Sequence, residues 1–438
     1  MLSAMLWGCY SRAAKLPEVW RLLDEHKAMN PVEARLDLAR RLQAQIRHFS
    51  ARADALPEWK EAARIGDPLR LMALWPQLPI VTRKDLQTRF AATEIQQRFG
   101  IKGLVSRTGG STGEPTAYLH DEAMLRSSTA ARSYCRLKAG WRPGMATIAV
   151  RGSERDVGRA STLRNRISGK LRKEWIVGGY SLTKETVDRV VELIEREKPV
   201  ALYGFTSMLE YVAREILQRG VSVPKGAVVA AWNGGEMLNS RQEELFELAF
   251  GIPLLNLYGS RELSAMAYQP QGERQLLPLR PLLFVEIVDE LGRCVPAGES
   301  GRLLWTSTVC RGTPFLRYEC GDLGSFDSTG ADESGIRSIA ELQGRSAGLI
   351  ELNGKTINGL FWNHLFKDYP EVEQFQVAVQ GGRELELRLK GKPFSETQEQ
   401  RLMLILRDLA GDTTIRLKWV DQLTRSRQGK LEQVLREG

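Results

Sequence analysis

The stretch "VALYGFTSMLEYVAREILQRGVSVPKGAVVAAWNGGE", Val200 to Glu236, decides the fold. It opens and closes on short apolar runs, "VALYGF" and "GAVVAAW", that suit buried strands. Between them "TSMLEYVAREILQRG" has the length and apolar spacing of a helix, with Thr206 standing where an N-cap is expected. Strand, helix and strand in that order predict parallel pairing through a right-handed crossover. Outward in both directions the alternation continues. "MATIAV" is a strand, "ETVDRVVELIEREKP" a helix, "NSRQEELFELAFG" a helix and "PLLNLYG" a strand. Ligands of such sheets gather beyond the carboxyl ends of the strands. That rule singles out Asn233, Gly234, Gly235 and Glu236, and the "YGSRE" run from Tyr258 to Glu262, each placed just after a predicted strand.

Further out the texture differs. From about Leu16 to Arg64, "PEVWRLLDEH" and "PVEARLDLARRLQAQIRHF" each open on a proline suited to a first helical turn and repeat apolar residues at three and four. In "LPIVTRKDLQTRF", Thr82 caps a short helix, and "HDEAMLRSSTAARSYCRLKAG" reads as a helix closed by Gly140. After Pro281 come shorter β pieces, "LLFVEIVD", "GRLLWTSTV" and "LIELNGKTI", the last with Asn353-Gly354 as a hairpin signal. The tail reads as β-rich "QFQVAVQGGRELELRLKG", helix "SETQEQRLMLILRDLAG", strand "TIRLKWVD" and a basic end.

The chain has 438 residues, 42% hydrophobic, enough for more than one domain with a large core. Its longest apolar runs are far short of the ~20 residues needed to cross a bilayer, and no transmembrane segment is expected. The start, "MLSAMLWGCYSRAAK", makes a poor secretory signal, having no basic segment ahead of its apolar patch. Five scattered cysteines and four histidines give neither a disulfide framework nor a zinc pattern, so a reducing cytoplasm is the expected compartment. Net charge is +9 and uneven, with eight Lys and Arg against three acids between Arg151 and Trp175. That run is either a solvated loop or a surface for an anionic partner. It lacks the interleaved aromatics of a single-strand binding surface, and no nucleic acid is expected as partner.

One more segment asks for a reason. "SRTGGSTGEPTAYLH", Ser106 to His120, concentrates glycines and hydroxyls. It is not a Walker loop, because no Lys-Ser or Lys-Thr follows at the required place. Glycine N–H groups and hydroxyls side by side still suit phosphate oxygens, and on these residues alone a phosphate loop and a surface turn stand level.

The distant pieces taken in order change that balance. "TGGSTGEPT", "WNGGEML", "NLYGSRE", "LRYECGDLG", "LQGRSAGLIELNGKTIN" and "RSRQGKLEQV" resemble the successive core motifs of the adenylate-forming ligase superfamily. "LPIVTRKDL" and the β-rich text from Val285 to Gly324 are most similar to its phenylacetate–coenzyme A ligase-like branch, which includes relatives associated with capsular polysaccharide. The resemblance spans about residues 15 to 435.

The resemblance implies an α/β fold with a large multi-layer N-terminal domain of mixed and parallel sheets, residues 1–343, with a helical lead-in at about 15–65 and a β-rich part at about 281–343. A small mobile α+β C-terminal domain, 344–438, would follow. It implies ATP- and Mg²⁺-dependent activation of a small-molecule carboxylic acid to an acyl-adenylate, with coenzyme A the expected acceptor. The alternatives are amide formation on an amine or sugar in surface-polysaccharide or secondary metabolism, and a non-catalytic nucleotide-binding member. Thr108, Gly110, Ser111, Thr112 and Gly113 would hold the β- and γ-phosphates, and Glu262 the Mg²⁺. Asn233, Gly234, Gly235, Glu236, Tyr258 and Gly259 would meet adenine, and Asp322 and Arg345 the ribose. Lys430 would reach the α-phosphate and the attacking carboxylate, and Gly354 would face the site in the transfer step. The acyl pocket would lie near Ala149 to Gly152 and Trp232 to Gly235. Two places depart from the family pattern: Glu114 stands in the phosphate loop where a lysine is common, and the pair Ala347-Gly348 replaces charged hinge residues. Oligomeric state stays open, a homodimer included.

Overall fold

The computed structural model describes residues 2–107, 116–150, 173–177, 184–236, 238, 240–328, 337–343, 350–352, 355–357, 362, 365–366, 369, 371–380, 384–411, 413–424 and 434–437. The chain starts helical, with α1 Leu2–Ala13, α2 Leu16–Ala28 and α3 Pro31–Ser50. Asn30 caps α3 by accepting the Glu33 N–H at 3.0 Å, and Leu38, Leu42, Ile46 and Phe49 bury one face of it. Four short helices follow: α4 Pro57–Ala62, α5 Pro68–Leu74, α6 Arg83–Gln87 and α7 Ala92–Phe99. As the sequence predicts, Thr82 caps α6. The cap is reciprocal, Asp85 N–H donating to the Thr82 hydroxyl at 3.2 Å and Thr82 N–H to the Asp85 carboxylate at 2.8 Å.

A two-stranded antiparallel ribbon that periodicity does not reveal comes next, β1 Gly103–Arg107 with β2 Ala117–Asp121. Its last pair, Arg107 with Ala117, brackets the glycine-rich segment. β2 runs straight into α8 Glu122–Lys138, capped by Asp121 through Met124 N–H at 3.0 Å. The other Asp121 carboxylate oxygen accepts the N–H groups of Arg311 and of Gly312, the latter at 2.8 Å, and so pins a distant loop to the same helix end.

The parallel sheet is the one that the opening stretch predicts. β3 Ala146–Val150, β4 Glu174–Val177, β5 Val200–Gly204 and β6 Val228–Asn233 stand in the order β4-β3-β5-β6, all parallel. α9 Lys184–Glu197, α10 Thr206–Gln218 and α11 Ser240–Phe250 pack a core that includes Val190, Ile194, Leu209, Val212, Ile216 and Phe246. Ala201, Ala230 and Trp232 belong to a separate apolar cluster, with Trp141 and Leu255.

Two expectations need correction here. "PLLNLYG" does not extend the parallel sheet as a full strand. Only Leu255 joins it, by one parallel bridge to Trp232, and the chain then turns away into β7 Leu257–Ser260, antiparallel to β8 Ser264–Tyr268, which pairs with β9 Leu277–Pro278. The physical reason is Asn233, whose side-chain oxygen captures the Leu257 N–H at 2.9 Å. Thr206 is not the cap of α10 either. Phe205 holds that position with no side-chain bond, and the Thr206 hydroxyl is used elsewhere.

The β-rich part is an antiparallel meander, β10 Leu283–Val288, β11 Ser300–Ser307, β12 Tyr318–Phe326 and β13 Ile339–Gln343. Beneath it a fully buried ion pair joins Arg317 to Glu286, with Nε 3.2 and 3.1 Å from the two carboxylate oxygens. Burial pushes the Glu286 carboxyl up to about 7, with the Arg317 charge working the other way.

Toward the C-terminus, β14 Ile350–Leu352 and β15 Lys355–Ile357 pair on either side of 353–354, where the hairpin is expected; Asn353 and Gly354 themselves lie outside the described residues. β16 Val372–Gln380, β17 Glu384–Gly391, α12 Glu396–Ala410, β18 Thr414–Trp419 and β19 Val434–Glu437 build a sheet in the order β18-β17-β16-β19. Leu385, Leu387, Leu389, Leu402 and Leu406 fill its core. The basic tail thus ends in a strand, parallel to β16. Among the described residues no helix is long and apolar enough to cross a membrane.

Candidate active site

Asn233 ends β6 and is fully buried. Its amide nitrogen donates to the Thr206 hydroxyl at 2.8 Å and to the Glu236 carbonyl at 3.2 Å, while its oxygen accepts from Leu257 N–H. All its polar atoms therefore serve the protein: it clips the start of α10, the 234–236 turn and the start of β7 into one unit. On that turn, Gly234 N–H donates to the Gly204 carbonyl at 3.0 Å. A Cβ at Gly234 would sit 3.2 Å from the Tyr203 ring, and one at Gly235, where φ is +78°, would sit 3.0 Å from the Phe205 ring. Gly234 and Gly235 thus form bare backbone against two aromatic rings, a place into which any side chain would intrude.

β7 carries Tyr258 and Gly259. The Tyr258 hydroxyl donates to the Asp322 carboxylate at 2.7 Å, and the Cys320 sulfur lies 3.5 Å from both. Asp322 sits inside β12, where the register with β11 slips between Arg302 and Leu304 and Gly321 adopts φ +91°. It is thus a bulge aspartate rather than a turn one, and the bulge re-aims its carboxylate. Burial, and then the charges of Cys320 and Asp322, push the Tyr258 hydroxyl well above its ordinary value, so it is a permanent donor. Gly259 is explained by chain packing, because a Cβ there would meet the Ser264 carbonyl at 2.2 Å.

Glu262 lies in the turn between β7 and β8 and is buried. Tyr318 of β12 donates to its carboxylate at 3.3 Å, and the Arg83 guanidinium stands 3.8 Å away. Arg83 is held there by the Thr82–Asp85 cap and by backbone bonds from Val81 to Arg317 and Glu319 on either side of Tyr318. The ribbon grips the same turn from beyond the glycine-rich segment: Tyr118 hydroxyl donates to the Arg261 carbonyl at 2.9 Å, and His120 Nε2 meets the Glu262 carbonyl at 2.6 Å. A carbonyl only accepts, so His120 carries its proton on Nε2. Burial lowers the His120 pKa against the pull of that bond, and burial followed by the Glu262 charge raises Tyr118 and Tyr318.

Asn233, Gly234, Gly235, Glu236, Tyr258, Gly259, Glu262 and Asp322 are therefore joined through a chain of short contacts. Thr108, Gly110, Ser111, Thr112, Gly113, Arg345, Gly354 and Lys430 lie outside the described residues, as do Glu114, Ala347 and Gly348. Sequence reasoning missed Arg83, Tyr318 and His120. The first two stand inside quoted motifs, "LPIVTRKDL" and "LRYECGDLG", and only the pairing of Val81 with Tyr318 reveals that they converge. Among the described residues no group of three or more His, Cys, Asp and Glu could hold a metal by itself. A single buried carboxylate suits a hard cation that arrives with phosphate oxygens as its other ligands, and the bare 234–235 backbone suits a flat base; the residues fit both.

A family model for the AMP-binding enzymes matches residues 176–311. A phenylacetate–coenzyme A ligase of Thermus thermophilus is 23% identical over 313 residues, 69% of this chain and 68% of that one. Protein CapK of Staphylococcus aureus is 23% identical over 249 residues, 56% of this chain but only 53% of that protein. Among solved structures, a 2-hydroxyisobutyryl-CoA ligase in complex with 2-HIB-AMP and CoA in the thioesterification state matches with TM-score 0.60 and 18% identity, covering 93% of this chain and 91% of that one. The same enzyme in its postadenylation state gives 0.55 over 93% and 90%, with 17% identity. The fold is that of these CoA ligases, and residues 176–311 match the AMP-binding enzymes. The chain is similar to the phenylacetate–coenzyme A ligase and to CapK, at 23% identity in each case.

Proposed function

We propose that this enzyme uses ATP and Mg²⁺ to convert a carboxylic acid into an acyl-adenylate and then passes the acyl group to coenzyme A. The observation that carries the reading is the pair of carboxylates, Asp322 and Glu262, each held by a tyrosine, Tyr258 at 2.7 Å and Tyr318 at 3.3 Å. Two carboxylates kept apart on one wall suit two ends of one molecule, the ribose hydroxyls and the cation-bound phosphates. A carboxylate oxygen of the acid bonds to the α-phosphorus, the bond from that phosphorus to the bridging oxygen breaks, and pyrophosphate leaves. Bound Mg²⁺ supplies charge neutralisation on the phosphates.

In this reading Glu262 holds the cation, with Arg83 beside it as a positive charge that partly answers Glu114 in the phosphate loop. Thr108, Gly110, Ser111, Thr112 and Gly113 hold phosphate oxygens, and Arg345 shares the ribose with Asp322. Lys430 stabilises the charge that moves to the leaving group, a contact that strengthens in the transition state. The 344–438 segment acts as a small domain that rotates between half-reactions, with Gly354 facing the site in the second. Dependence on ATP and coenzyme A suits a cytoplasmic enzyme. A second reading, transfer to an amine or sugar in surface-polysaccharide assembly, is supported by the likeness to CapK.

Pyrophosphate and AMP release measured over a panel of aryl, acyl and uronic acids, with and without Mg²⁺ and coenzyme A, tests this. AMP release that requires coenzyme A supports the first reading; AMP release that requires an amine instead moves the assignment to the second. ATP bound without pyrophosphate release from any acid leaves a non-catalytic nucleotide-binding protein.

A further inference from the structure

Beside the 234–235 turn, α8 presents two arginines whose roles the nucleotide does not explain. Arg132 and Arg136 are four residues apart and so share one face of the helix. Arg132 donates to the Ser264 hydroxyl at 2.9 Å and to Thr129 at 3.5 Å. The Arg136 guanidinium lies 5.6 Å from the ring centre of Trp232, which is itself stacked on Tyr203 at 5.8 Å. Trp232 immediately precedes Asn233, and Ser264 follows Glu262 by two residues. One cation thus meets the side chain just before Asn233 and the other the turn just after Glu262, near the carboxyl end of the parallel sheet where ligands of such sheets gather.

Neither guanidinium pairs with a carboxylate among the described residues. Arg136 repels Arg132, the hydroxyls of Tyr10 and Tyr203 act on it the other way, and His120 also feels its charge; Arg132 itself is solvent-exposed. Like charges one helical turn apart disfavour the helix that carries them. Arg126, Arg189 and Arg196, exposed or half-exposed as Arg132 and Arg136 are, each meet a glutamate of their own helix, which this pair does not among the described residues. Arg132 is tied instead to the Ser264 turn, where φ is +67°, and Arg136 is laid on a buried indole. Both heads are thus held in place without being neutralised, the form that a fork-shaped anion site takes.

We infer that the acid activated by this enzyme carries a second anionic group, a carboxylate or a phosphate, which Arg132 and Arg136 receive while the reacting carboxylate faces the α-phosphate. This rests on the adenylation reading above and names its substrate class. Acids with one charge leave the pair uncompensated and bind less well. A charge-assisted contact of this kind corresponds to about 10- to 100-fold in affinity.

The test uses the full chain and matched probes: glutarate against valerate, and 3-phosphoglycerate against glycerate. Each is measured for binding by calorimetry in the presence of a non-hydrolysable ATP analogue and for pyrophosphate release with ATP. At least one dianion is expected to bind about 10-fold or more tightly than its partner. Arg132→Gln and Arg136→Gln, checked for folding by melting temperature, should each erase that preference while changing monoanion binding about 2-fold or less, and Arg136→Lys should keep part of it. A preference confined to glutarate or to 3-phosphoglycerate supports the inference and identifies the second group. No dianion favoured over its partner, or variants that weaken both members of a pair alike, overturns it. A dianion that binds through the arginines yet yields no pyrophosphate overturns the adenylation reading and leaves the anion site standing. Pyrophosphate release without any dianion preference does the reverse.

Discussion

The parallel sheet and the antiparallel meander both deliver residues to the site, but they do so differently. β6 hands over Asn233 at its very end, where the backbone leaves the sheet and the side chain is consumed in holding the chain beyond it. β12 hands over Asp322 from inside its ladder, through a bulge with Gly321 in the left-handed region. The first arrangement shapes backbone and the second aims a charge. The lesson is that a residue can match a binding motif for either reason, and the hydrogen bonds decide which.

The comparison is sharpest at Glu262, the other aimed charge. Glu262→Gln keeps the shape and removes the charge. We expect pyrophosphate release to fall about 100- to 1000-fold, the scale seen when one aligned electrostatic group is lost from a reacting centre. Melting temperature should change little; a loss of activity that merely tracks unfolding would put Glu262 with Asn233 rather than with Asp322. Asn233→Ala should do the opposite. It strands the Leu257 N–H and leaves the Thr206 hydroxyl and the Glu236 carbonyl only their own 3.4 Å contact, and urea unfolding should show a loss of about 2–4 kcal/mol. An Asn233→Ala protein of wild-type stability with weak ATP binding would break the distinction.

Tyr258→Phe probes the coupling between the two arms with a smaller perturbation. Removing one hydrogen bond from Asp322 should raise KM for ATP about 5-fold and leave kcat nearly unchanged, as seen in steady-state kinetics. The smallest effect is at His120. Burial keeps it neutral in the folded protein, whereas the unfolded chain takes up a proton near pH 6.5. Its contribution is therefore present above that value and is lost as pH falls through it. His120→Gln should flatten the stability profile between pH 7 and 5 by about 1 kcal/mol or less in chemical unfolding; a profile unchanged by the substitution would mean that His120 does not carry that slope.

Much of the parallel sheet was legible because the segment from Val200 to Glu236 states its own period, and a buried parallel strand must be apolar on both faces. The ribbon was not legible. "GLVSR" in β1 is largely exposed, and "AYLHD" in β2 contains two polar residues that are buried because they bond the Glu262 turn and the Arg311–Gly312 loop. β19 hid inside a basic tail, since its pairing is to β16, far back in the chain. Thr206 was misassigned for a related reason: a hydroxyl before a helix usually caps it, and here Asn233 from the neighbouring strand takes that hydroxyl instead. Motif order pointed to Asp322 and Glu262, the two carboxylates that Tyr258 and Tyr318 hold. It gave no hint of Arg83, Arg132 or Arg136, because nothing in their immediate sequence records which distant side chain they face.

The grip of Tyr118 and His120 on the Arg261 and Glu262 carbonyls has one further consequence. Both contacts are made from the strand that follows the glycine-rich segment, and neither uses that segment itself. The acid is anchored independently of what lies between Arg107 and Ala117. A substitution anywhere from Thr108 to Pro115 therefore removes neither of these two contacts on the Glu262 turn. The fitting that holds Glu262 is written into β2, α6 and β12, so its upkeep falls on residues that lie outside that stretch.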